Sequence, residues 1–214
     1  MLAELNYTMR ILSIISLFLF SISAYGQLSV SKINNNTLPK QIKYSGQITN
    51  CATWTDGIGI HYVLTTETEE YRSKDKENNE VKNKEIYAYH YTNKRGKFKL
   101  VWKIYDYNKN CEYDVLTEFY NQAFKVTDLD KNGIPEIWLM YENQCTSDVS
   151  PSTTKIIMYE GDKKYAIRGQ NRVQVSDKNF VGGEFTIDDN FKTGNIVFKQ
   201  FGIKLWEQNK TRKW

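Results

Sequence analysis

Three oxygen-bearing side chains, Asp128, Asp130 and Asn132, occupy alternate positions in VTDLDKNGIPEIWLMY at 126–141, and Glu136 follows four residues later. Ile134 adds a backbone carbonyl to this set, and Gly133 supplies the freedom for a sharp turn. Carboxylate and amide oxygens at such spacing can wrap a hard cation, and Ca2+ is the ion that tolerates so mixed a ligand set. An EF-hand would need a bidentate Glu at its twelfth loop position, which is Leu139 here, and the flanks read as strands. The expectation is a shorter, metal-clipped β-hairpin. The competing reading is a polar turn folded through its own side-chain to backbone hydrogen bonds.

A second group, Asp148, Ser150, Lys155 and Arg168, falls within 145–169 and forms a candidate ligand cluster, with Asp148 and Arg168 as an ion pair or a shared ligand contact. Ser150 and Lys155 do not have the spacing of a Ser–Lys hydrolase, so no catalytic residue is assigned. His61 and His90 lie in apolar or aromatic runs without a third His and read as packed residues. Tyr87, Tyr89 and Tyr91 share one strand face; exposed, they would stack on sugar rings, and buried, they would serve the core. Cys51 has no recognisable partner for nucleophilic chemistry. The chain has no glycine pattern of a dinucleotide or P-loop site.

Strands must position these groups. FKLVWKIY at 98–105 alternates Phe98, Leu100, Trp102 and Ile104 with polar residues, the period of a sheet with one buried face. Similar runs occur at 42–48, 58–65, 86–91, 136–141, 155–160, 164–168 and 183–187. Gly161 and Gly96 mark hairpin turns between neighbouring runs. The mixed charges of 67–85 read as a solvated loop. DGIGIHYVL, IYAYHY and KLVWKI in 54–105 parallel NGIPEIWLM, KIIMYE and KYAIRG in 124–169, a weak internal repeat. The predicted fold is mainly β: antiparallel sheets from a duplicated unit of three or four strands, propeller-blade-like or sandwich-like. Val197, Phe198, Phe201 and Leu205 predict a short amphipathic helix at the end, capped by Asn195.

The 214 residues carry 29 Lys and Arg against 25 Asp and Glu, and the small excess is spread along the chain, which disfavours nucleic-acid binding. Residues 9–26 have a basic start at Arg10, an apolar stretch from Ile11 to Phe20 and small residues Ala24 and Gly26, the pattern of a signal peptide. The expectation is a leader at 1–26 starting from Met9, one exported domain at 27–214 and no membrane span after cleavage. Export permits a disulfide, and Cys111 with Cys145 is the preferred pair of the three cysteines, although spacing alone does not fix connectivity.

Cys111, FKVTDLDKNGIPEIWLMY, Cys145, SDVSP at 147–151, KIIMYEG and KYAIRG together resemble a family of small exported Bacteroidetes proteins described as surface-polysaccharide (lipopolysaccharide) biosynthesis proteins. The 128–136 loop resembles the calcium loops of FG-GAP and integrin-type propeller repeats. The family resemblance implies a periplasmic, outer-membrane or surface protein that supports polysaccharide assembly or display, with surface glycan or envelope proteins as partners. The alternative is an envelope hydrolase or transferase acting on glycan.

Overall fold

The computed structural model describes residues 28–33 and 37–212, so the expected leader lies outside the described residues. The first half supplies β1 (Ser31–Lys32), β2 (Gln47–Thr55), β3 (Ile60–Glu67), β4 (Tyr71–Lys74), β5 (Glu80–Lys94) and β6 (Lys97–Cys111). These make one antiparallel sheet in the order β1-β2-β3-β5, with β4 and β6 also pairing β5. A second antiparallel sheet takes β7 (Asp114–Phe119), β8 (Lys125–Thr127), β9 (Glu136–Thr146), β10 (Thr153–Glu160) and β11 (Lys163–Gln170). A separate hairpin of β12 (Arg172–Ser176) and β13 (Asn179–Gly182) follows, and β14 (Phe185–Ile187) then pairs β11 in the second sheet. The chain closes with α1 (Asp189–Thr193) and α2 (Ile196–Asn209). The mainly antiparallel β architecture with a short C-terminal helix agrees with the sequence.

Alternation along each strand sorts side chains into layers. Ile137, Leu139 and Tyr141 of β9, with Ile157 and Tyr159 of β10, pack against Trp54, Val63, Ile86, Ala88 and Trp102 of the first sheet. Trp138, Met140, Ile156 and Met158 point the other way, toward Phe191 of α1 and Phe198, Leu205 and Trp206 of α2. Two sheets therefore lie face to face, with the helices covering the outer face of the second. Strands buried on both faces lose their polar alternation, which is why β9 and β10 read as continuous apolar runs. Asn195 caps α2 by accepting from the Val197 N–H at 3.2 Å.

Each candidate repeat folds as a turn followed by a three-strand meander: β3, β5 and β6 after the turn at 56–59, and β9, β10 and β11 after the loop at 128–135. A disulfide between Cys111 and Cys145 ties the end of β6 to β9 in the other sheet. Among the described residues no helix is long and apolar enough to cross a membrane.

Two sequence expectations need correction. The run 67–85 is not a loop: β4 and the start of β5 form a hairpin turning at 75–79. Asp75 accepts from the backbone N–H groups of Glu77 and Asn79, and buried Val81 and Asn83 anchor the hairpin, a signal masked by the surrounding charges. The strand expected at 42–48 begins only at Gln47; Ile42 instead packs, outside any strand, over Tyr87, Tyr89 and Tyr91.

Candidate binding cleft and acidic loop

Cross-strand register builds a row of rings on the inner face of the first sheet. Trp54 stands opposite His61, and His90 opposite Trp102, while His61 and His90 are diagonal neighbours on β3 and β5. Trp54 and His61 stack with centroids 4.8 Å apart, and Trp102 stacks on Tyr159 of the other sheet at 4.4 Å. Asp56, in the turn before β3, lies 2.9 Å from His61 Nε2, and His61 Nδ1 lies 2.9 Å from His90 Nε2. A carboxylate only accepts, so His61 donates to Asp56. With one proton on each ring, His90 then donates to His61, and its own Nδ1 is an acceptor.

That Nδ1 is buried without a partner, as are the indole N–H groups of Trp54 and Trp102. Buried polar atoms are nearly always satisfied, so three such atoms in one aromatic row set this face apart from the rest of the core. Burial, and secondarily the neighbouring His61, push the His90 pKa down to about 3. Burial works to raise the pKa of Asp56, but the Ile58 N–H and His61 outweigh it and the net shift is downward.

Trp54, His61 and His90 line a cleft of about 880 Å³. Its walls are mainly apolar and include Ile58, Val101, and Ile134 and Pro135 of the loop before β9. The two isoleucines follow Gly57 and Gly133, so the corresponding turns of the two candidate repeats line one cleft. Lys94, Arg95, Lys97 and Lys99 of the β5–β6 hairpin form its rim.

The acidic loop adjoins this cleft through Gly133 and Ile134. Lys131 and Gly133 both take left-handed backbone, with φ of 60° and 80°, which coils the loop back on itself. Asp128, Asp130 and Glu136 consequently bring oxygens within 4.8 Å of one another, a cluster able to hold a metal ion. Glu136 is fully buried at the start of β9, accepting from the Thr127 hydroxyl at 2.7 Å and the Leu129 N–H at 3.0 Å. Burial first, then the charges of Asp130 and Asp128, raise its pKa. Asn132 does not aim its oxygen at the cluster: it accepts from the Ile134 N–H at 2.7 Å. Asp128 and Asp130 also accept backbone N–H groups, from Gly133 at 3.3 Å and Asn132 at 3.2 Å. The Ile134 side chain is exposed on the cleft side.

The cluster expected at 145–169 is divided. Asp148 accepts from the hydroxyls of Thr146 and Ser150 within its own loop. Lys155 instead crosses to Asp106 of β6 at 2.6 Å, and Arg168 stands opposite Lys155 in the β10–β11 register. Arg168 therefore makes no pair with Asp148, because the intervening strand carries it to the inter-sheet edge. Tyr87, Tyr89 and Tyr91 share a face as expected, but Ile42 and Leu64 bury it, so it offers no sugar platform. Cys51 is buried, and burial pushes its thiol up to about 11, which makes it inert. Sequence reasoning missed Asp56 as the carboxylate partner of the histidines; the sign available was a DGxG turn directly preceding the strand that carries His61.

No family model matches this chain, and neither a curated protein nor a solved structure matches it.

Proposed function

We propose that this chain is an exported, non-catalytic cell-envelope protein that supports the biosynthesis or display of surface polysaccharide by binding glycan or an envelope partner. The observation that carries this reading is a large, mainly apolar cleft with a basic hairpin and a short Asp56–His61–His90 hydrogen-bond chain in its lining. A general base works best with a pKa near the operating pH; His90, held down to about 3, has little affinity for a proton at neutral pH. Typical small-molecule sites are concave, largely apolar and provided with a few fixed polar groups, a description this cleft fits. The sequence resemblance to exported surface-polysaccharide proteins supports the envelope setting. Ca2+ at Asp128, Asp130 and Glu136 would stiffen the loop that carries Gly133, Ile134 and Pro135 to the cleft.

The Asp56–His61–His90 chain is the one observation that favours the second reading, a glycan hydrolase or transferase. Incubating the purified protein with surface-polysaccharide fragments separates the two. Saturable binding without new reducing ends is the expected result. Turnover that disappears in His61→Gln or His90→Gln would replace the binding reading with the enzymatic one.

A further inference from the structure

We infer that the cleft takes an anionic amphiphile: a linear alkyl or acyl chain ending in a phosphate ester. The inference rests on reading the chain as a binding protein and names the chemistry of its ligand. Ile58 and Ile134 carry it first. These residues are 58% and 49% exposed, one in each of two turns that line the cleft. Apolar groups left in water around a concave site gain free energy when an apolar ligand covers them, at about 25 cal/mol per Å². Val101 and Pro135 continue the same surface inward. A bare glycan would set its hydroxyls against these walls without hydrogen-bond partners, which costs free energy for each group so buried.

The rim fixes the other end of the ligand. Lys94, Arg95, Lys97 and Lys99 lie within six residues on one hairpin, and none of them forms an ion pair or side-chain hydrogen bond among the described residues. The acids lining the cleft are Asp56, which is engaged by His61, and Asp162. Four bases therefore face two carboxylates, which leaves the lining with an excess of positive charge. A phosphate ester supplies up to about two negative charges and several acceptor oxygens. It also matches the planar fork of Arg95.

The test is calorimetric titration of the purified protein with dodecyl phosphate, dodecyl maltoside and inorganic phosphate, all below micelle-forming concentrations, followed in parallel by tryptophan fluorescence. Dodecyl phosphate is expected to bind at one site, at least about tenfold more tightly than the neutral maltoside, a preference of about 1.4 kcal/mol. Inorganic phosphate alone should give no saturable heat. Replacing Lys94, Arg95, Lys97 and Lys99 by Gln should abolish the preference for phosphate and leave binding of the alkyl chain. Ile58→Asp and Ile134→Asp, both at exposed positions and so compatible with folding, should weaken both amphiphiles. Absence of dodecyl phosphate binding, or binding unchanged in the isoleucine variants, overturns the assignment. Glycan fragments that bind while dodecyl phosphate does not would remove this ligand class and leave the binding function standing; glycan turnover would remove the binding function itself.

Discussion

His61 Nδ1 and His90 Nε2 stand 2.9 Å apart on the inner face of the first sheet, and His90 reaches Asp56 only through His61. The arrangement depends on two registers at once, β2 with β3 and β3 with β5. It places one imidazole in a polar chain and leaves the second facing aromatic rings. The physical result is a neutral, deeply buried base whose environment opposes protonation.

Acid stability should report that base. The folded-state pKa of His90 is about 3, against 6.5 for an unperturbed histidine. Between these values the unfolded chain binds the extra proton, so the contribution of this site to stability falls as pH drops through that window, by up to about 1.4 kcal/mol per unit. Glu136 and Glu142 have raised pKa values and act in the opposite sense. Comparison of wild type with His90→Gln isolates the histidine: the loss of melting temperature from pH 7 to pH 4 should be smaller in the variant. Equal acid sensitivity in both proteins would show that His90 is not held neutral.

Calcium should raise the melting temperature of the purified protein after exhaustive chelation. At a hundredfold excess over Kd the stabilisation is about 2.7 kcal/mol. For a chain of this size that corresponds to a shift of several degrees. The increase should vanish in Asp128→Ala with Asp130→Ala. In chelated protein Glu136 should contribute a gain in stability on mild acidification, opposite in sign to the contribution of His90, because its raised pKa makes the folded state bind its proton more readily than the unfolded chain. Bound calcium should remove that gain. Identical melting in chelator and calcium would reduce the loop to a self-bonded turn.

What the sequence revealed follows from which signals are local. The alternation of 98–105 exposes β6 because one of its faces is wet, and the apolar runs of β9 and β10 stand out because both faces are covered. The Asp128–Glu136 cluster was legible since its carboxylates belong to one loop. Asp56, His61 and His90 were not recognised as a group, because their meeting depends on strand pairing across 29 residues. The same reason explains Asp148 and Arg168: closeness in the chain suggested a pair, whereas the β10–β11 register places Arg168 beside Lys155. The charges around β4 concealed a hairpin whose inward positions are few.

Reduction of the disulfide should destabilise the protein substantially. The Cys111–Cys145 link closes a separation of 34 residues and joins the two sheets. Chain-entropy reasoning assigns such a loop about 3 to 4 kcal/mol. Denaturant unfolding of Cys111→Ala with Cys145→Ala should show a loss of that order, while a thiol reagent should find Cys51 unreactive until unfolding. Rapid labelling of Cys51 in native buffer would contradict its burial.

The C-terminal segment locks the second sheet through a buried carboxylate. Glu142 accepts from Arg212 at 2.8 Å, from the Asn171 side-chain amide at 2.8 Å and from the Ser152 hydroxyl, and it is almost completely buried. Burial raises its pKa, although Ser152 and Arg212 pull in the opposite direction. Arg212→Ala should therefore cost about 3 to 5 kcal/mol at pH 7, since it leaves a buried charge without its cation. Protonation relieves that charge, and the folded variant takes up the proton above the unfolded pKa, so the deficit should shrink as pH falls toward 4.5. Adding Glu142→Gln to Arg212→Ala should recover much of the loss at pH 7, a coupling that urea denaturation of the four proteins in the cycle can measure. Additive losses that do not change with pH would mean that Arg212 contributes through packing and not through its charge.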